Sequence, residues 1–232
     1  PFKEAWRNYM SQSHAARFLV VVGLGTAGFQ MQDILLEPYG GEILGLSVSA
    51  TTTLTALLAG GTLASLALAA WWLNRGGNPY RLSALGALIG IGAFTAVILA
   101  APMDSALLFR IGATCIGFGT GFFAVGTLIA AMSRENGGQS GIALGAWGAV
   151  QATALGLGII LGGVIRDIVN AMTSRELLGP SLTGPEIGYA VVYHIEIVLL
   201  LATLVAIGPL VRSKSVSREQ SSSRFGMADF PG

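Results

Sequence analysis

Long apolar runs separated by short polar turns fill the chain from residue 17 to residue 211. Most reach or exceed the ~20 residues that an α-helix needs to cross a bilayer. They predict six transmembrane helices, over 17–37, 44–72, 82–101, 106–132, 141–165 and 188–211. The second run ends in the interfacial pair Trp71 and Trp72, and its excess length predicts a helix that tilts or protrudes. Turns fall at Asn74-Arg-Gly-Gly-Asn-Pro79 and Ser133-Arg-Glu-Asn-Gly-Gly138, and Pro102 closes the third run. A longer polar segment, 166–187, precedes the last run. Residues 1–16 are polar with Phe2, Trp6 and Tyr9 interspersed, which predicts a short interfacial lead-in helix. Residues 212–232 are Ser-rich and basic, which predicts a disordered tail.

Composition sharpens this into an all-α integral membrane protein. The 232 residues are 53% hydrophobic and 11% charged, with mean hydropathy +0.68. Soluble domains carry about 25% charged residues. Residue 1 is Pro rather than Met, as expected of a fragment, a processed product or a segment numbered from the first residue seen. The net charge of +1 is spread out, so no nucleic-acid partner is expected. The single cysteine, Cys115, cannot form an internal disulfide, and there is no Cys/His spacing for a metal. His14 reads as a solvated or interfacial histidine.

Six crossings place both termini on one side. Lys3, Arg7, Arg17, Arg75, Arg81, Arg134, Arg212, Lys214, Arg218 and Arg224 fall on that side, against Arg166 and Arg175 opposite. The excess of cations predicts cytoplasmic termini.

The 33 glycines lie mostly inside the apolar runs, where small residues let helix backbones approach. Pairs four apart recur at Gly41/Gly45, Gly86/Gly90, Gly117/Gly121, Gly141/Gly145 and Gly158/Gly162. Gly23-Leu-Gly25-Thr-Ala-Gly28 also fits a dinucleotide-binding fingerprint, but no βαβ alternation follows it. Packing is therefore the reading of these glycines. Gly23-Leu-Gly-Thr-Ala-Gly-Phe echoes Gly117-Phe-Gly-Thr-Gly-Phe-Phe in the oppositely directed fourth run. Such an echo fits a three-plus-three inverted repeat.

Carboxylates inside a span are costly and need a reason. Gly23, Thr26, Gln30, Asp33 and Glu37 are spaced 3, 4, 3, 4, one stripe on a continuous helix. That face is small at one end and polar at the other. It belongs against protein or a cavity rather than lipid. Arg110 lies roughly 8 Å inside its span, and His194 and Glu196 roughly 9 and 12 Å inside theirs. Their depths permit an outer-leaflet polar cluster, with Asp33–Arg110 the favoured ion pair. Such a pair locks helices together, or belongs to a patch that guides a substrate or contacts a pigment headgroup. His194 can ligate the magnesium of a chlorin, hydrogen-bond a neighbouring helix or reach the interface. It points about 200° away from Glu196. No nucleophile–base pair, metal-ligand cluster or phosphate loop is present, so an enzyme is not expected.

Six spans, Gly-rich helices and the basic turn 74–81 resemble the C-terminal half of a major facilitator superfamily transporter. Gln32-Asp-Ile-Leu-Leu-Glu-Pro-Tyr-Gly-Gly41 followed by Leu44-Gly-Leu-Ser-Val-Ser-Ala-Thr-Thr resembles the PucC/LhaA family, the bacteriochlorophyll delivery branch of that superfamily. The pattern continues through Gly117-Phe-Gly-Thr-Gly-Phe and Gly141-Ile-Ala-Leu-Gly-Ala-Trp-Gly-Ala-Val-Gln151. The resemblance implies a role in assembling light-harvesting complexes, by handing bacteriochlorophyll to antenna polypeptides or chaperoning their insertion. It implies the inner, intracytoplasmic photosynthetic membrane of a bacterium. Expected partners are antenna polypeptides, reaction-centre subunits and lipid. Family members usually carry twelve spans, so an N-terminal half or another membrane subunit is also expected. Two alternatives stand beside this. One is a permanent structural subunit of a reaction centre–antenna complex. The other is half of a solute/proton transporter, with Asp33 as the proton-coupling carboxylate.

Overall fold

Ser47, Asn78 and Ser105 each stand just before a long apolar run. Each accepts a hydrogen bond from the first turn beyond it, at Ala50 N (3.3 Å), Tyr80 N (2.9 Å) and Leu108 N (3.2 Å). These caps satisfy amides that a helix start leaves free, and Pro79 occupies the first-turn position where its missing N–H costs nothing. The computed structural model describes residues 2–12, 14–133, 140–179, 182 and 184–224. They form α1 (Phe2–Ser11), α2 (Ala15–Gln30), α3 (Leu36–Glu42), α4 (Val48–Asn74), α5 (Pro79–Ala100), α6 (Ala106–Met132), α7 (Ser140–Thr173) and α8 (Glu186–Arg224).

Five of these, α4 to α8, are long and apolar enough to cross a membrane. That is the pattern of a multi-pass membrane protein. α6 is the most buried of the five, and α7 the least. α6 packs between α4 and α5, and α8 packs against α5, α2 and α7. Close contacts fall at glycines: a Cβ on Gly61 would meet the carbonyl oxygen of Thr114, and one on Gly117 that of Leu58. Only backbone without a side chain lets α4 and α6 come this near. Gly41, Gly45, Gly141 and Gly145 face open space instead. The Gly23–Gly28 run is packing surface: Gly25 lies under the Phe123 ring and Gly28 against Leu199 and Leu200.

The segment over 17–37, the expected first crossing, differs from the continuous helix predicted there. Phe18 stacks edge-on to Tyr80 at one end of the bundle, and Tyr39 sits against Phe109 and Tyr189 at the other. The segment between them traverses the bundle in two pieces, with residues 31–35 in turns between α2 and α3. Pro38 explains the break. It has no N–H for the carbonyl of Ile34, and its ring would clash with that carbonyl in a straight helix.

Two other boundaries move. α7 runs to Thr173, so Arg166 and Asp167 lie on a helix rather than in the polar loop expected from 166. No Gly or Pro interrupts 164–178, so nothing there ends the helix. α8 likewise continues to Arg224 through the segment expected to be disordered, which lacks Gly or Pro between 210 and 225. Most of the turn at 133–138, and residues 225–232 of the tail, lie outside the described residues.

Candidate functional site

The break between α2 and α3 gathers buried polar groups. A turn in place of helix removes the carbonyl that would accept from Gln32 N–H. Glu196 replaces it: its Oε1 accepts from Gln32 N at 2.7 Å, across 164 residues of sequence. Glu196 is fully buried on α8 and Gln32 nearly so. The Gln32 side chain donates through Nε2 to the Phe29 carbonyl at 3.3 Å, which further ties the loosened end of α2. Glu196 Oε2, Gln32 Oε1 and the Tyr193 hydroxyl are buried with no hydrogen-bond partner among the described residues. Tyr193 lies one turn before Glu196 on the same face, its ring 5.5 Å from that of Tyr39.

The residues of the expected stripe part company at this break. Gln30 faces Gly158 of α7 from the last turn of α2. Asp33 falls in the turn and is exposed. Glu37 is exposed on α3 and accepts a hydrogen bond from Thr55 of α4. Arg110 is exposed on α6, and no ion pair joins it to Asp33 among the described residues. The physical reason is the turn itself, which rotates Asp33 off the line of Gln30 and toward the surface. Glu196 thus belongs to the site, but through a backbone amide rather than a cation.

A second polar group ties three elements together at the same end as Tyr39. Arg166 of α7 pairs with Glu42 of α3 at 3.0 Å and with Asp167 at 3.0 Å. The Tyr189 hydroxyl of α8 lies 2.6 Å from Arg166 Nη2 and donates to Glu42 Oε2 at 2.7 Å. The Arg166 guanidinium also lies over the Tyr189 ring, 4.7 Å from its centroid. Placing Arg166 in a loop hid this network from the sequence reading. The unbroken helical pattern after 164 was the available signal.

His194 stands outside both groups. It is exposed on the far side of α8 from Glu196, and its Nδ1 lies 2.6 Å from the Ala190 carbonyl oxygen. Between α2 and α7 an open apolar groove of about 460 Å³ is lined by Gly23, Ala27, Val150, Thr153, Leu157 and Leu161, among others.

The family model described as PUCC protein matches residues 1–215. The chain belongs to the PucC family. It is 45% identical over 217 residues to "Protein PucC" of Cereibacter sphaeroides, covering 94% of this chain and 46% of that protein. It is 49% identical over 173 residues to "Protein PucC" of Rhodovulum sulfidophilum, covering 75% and 38%. It is 47% identical over 233 residues to "Uncharacterized protein in puhA-bchM intergenic region" of Rhodobacter capsulatus, covering 99% and 49%. The chain thus spans about half the length of the first and third of these relatives. No solved structure matches.

In this PucC-family chain the run from Gln32 to Gly41, which carried the resemblance, holds most of the turn after α2 and most of α3. It supplies the amide held by Glu196, the Pro38 that forces the break and the Tyr39 packed under Tyr189 and Tyr193.

Proposed function

We propose that this chain aids assembly of light-harvesting complexes by binding or delivering bacteriochlorophyll to antenna polypeptides. The observation that carries the reading is the PucC-family match over residues 1–215. It acts as a non-enzymatic carrier or chaperone, with pigment as cargo. The five long apolar helices and the broken crossing form six spans of a major-facilitator-like half, arranged as a three-plus-three inverted repeat. The cations near the ends of those spans favour cytoplasmic termini, and the family match supports residence in a photosynthetic bacterial membrane. The partners are antenna polypeptides and reaction-centre subunits.

A permanent structural subunit beside the reaction centre and antenna is the second reading. The low burial of α7, which leaves a long helix face free for another membrane subunit or half, favours it.

The test compares membranes from cells with and without the chain. Loss of near-infrared antenna absorbance, with free bacteriochlorophyll still made, is the expected result. Unchanged antenna spectra would overturn the proposal. A chain that remains in stoichiometric amount in mature complexes points to the structural reading.

A further inference from the structure

We infer that His194 is the pigment ligand of this chain, its Nε2 bonding the magnesium of a bacteriochlorophyll on the outer face of α8. The inference rests on the pigment-handling reading above and names the residue and surface that perform it.

The tautomer comes first. A carbonyl oxygen only accepts hydrogen bonds, so the 2.6 Å contact between His194 Nδ1 and the Ala190 carbonyl puts the proton on Nδ1. Nε2 then carries the free lone pair. Ligating histidines are held in this way, with one ring nitrogen donating to a carbonyl or carboxylate. That bond fixes the ring orientation and strengthens the other nitrogen as a donor.

The surroundings come second. His194 lies about 12 Å along α8 from Glu186, within the span rather than at its end. It shares its exposed face with Val198 (61% exposed), Leu201 (48%) and Val205 (79%). That face is otherwise apolar, and hydrocarbon offers no donor to an imidazole nitrogen. A magnesium carried in a hydrophobic macrocycle meets both demands. The metal takes the lone pair, and Val198 and Leu201, on the same face one and two turns on, offer apolar surface to the ring. The unpartnered oxygens of the bundle interior, on Glu196, Gln32 and Tyr193, are buried and closed to a macrocycle. The other histidine, His14, stands at the start of α2, outside the long helices. Glu196, two residues from His194, is buried on the opposite side, so α8 closes the bundle with one face and presents a ligand with the other.

The experiment uses the full chain in detergent, mixed with excess bacteriochlorophyll a and separated by gel filtration. The wild-type protein is expected to carry pigment whose absorption and resonance Raman bands report an axial imidazole. His194→Leu is expected to lose the pigment while keeping the wild-type unfolding temperature, and added imidazole is expected to restore it. His194→Phe serves as the second variant if the leucine form does not fold. Equal pigment on wild type and variant would overturn the role of His194 while leaving the pigment-handling reading intact. No pigment on the wild type, in a chain whose loss still depletes the antenna in cells, would overturn the ligand and leave an assembly role without pigment.

Discussion

Glu196 Oε1 lies 2.7 Å from the backbone nitrogen of Gln32, so the last long helix closes the gap between α2 and α3. The partner is an amide that the turn frees, and it lies buried inside the bundle. Leaving a buried amide unpaired costs about 1–3 kcal/mol. Glu196→Leu should therefore lower thermal stability in detergent by that amount. Glu196→Gln, which keeps a carbonyl oxygen at the same place, should lose much less. Equal loss in the two variants would count against the capping role.

Asp33 and Arg110 should behave as independent surface residues. Both are exposed and unpaired with each other. Asp33→Asn, Arg110→Gln and the double variant should each stay within about 0.5 kcal/mol of wild type. A coupling between them in a double-mutant cycle would mean that the turn at 31–35 is not formed in the membrane.

The Arg166–Glu42 pair should contribute little by charge alone. Glu42 is about half exposed, and exposed pairs are worth about 0–1 kcal/mol. Tyr189 touches both partners from a buried position, so Tyr189→Phe should cost about 1 kcal/mol through its lost hydrogen bonds. A double-mutant cycle of Glu42→Gln with Arg166→Met, read by thermal unfolding at low and high salt, separates the two effects. The charge coupling should shrink as salt rises.

Glycines of the same type should respond in opposite ways. Gly117→Ala pushes a methyl group into the Leu58 carbonyl and should cost about 1–3 kcal/mol, with α4 loosened from α6. Gly145→Ala meets nothing and should be neutral or stabilising by up to about 1 kcal/mol. Unfolding temperatures of the two purified variants decide this.

The long helices were legible because an apolar run of sufficient length leaves the backbone little choice in lipid. The break at 31–35 was not, although its cause, Pro38, was in plain view. Read as the end of a span, the proline set a boundary. In the fold it acts backwards, on the carbonyl of Ile34. The stripe from Gly23 to Glu37 assumed one helix, and it failed at the first turn residue. Glu196 was placed at a useful depth, but its partner was sought among cations. A hydrogen bond to a backbone amide leaves no trace in side-chain chemistry, so no sequence pattern pointed to Gln32. The Glu42–Arg166–Tyr189 group was missed for a simpler reason: a polar stretch was taken for a loop where uninterrupted helix-forming sequence continued.

The pairing of Gln32 with Glu196 also orders events during synthesis. The two residues are 164 positions apart, so α2 and α3 are made long before their partner exists. Until α8 enters the membrane, the Gln32 amide must be sheltered by water, by lipid headgroups or by the insertion machinery. A chain interrupted before residue 196 would hold α2 and α3 without their clasp.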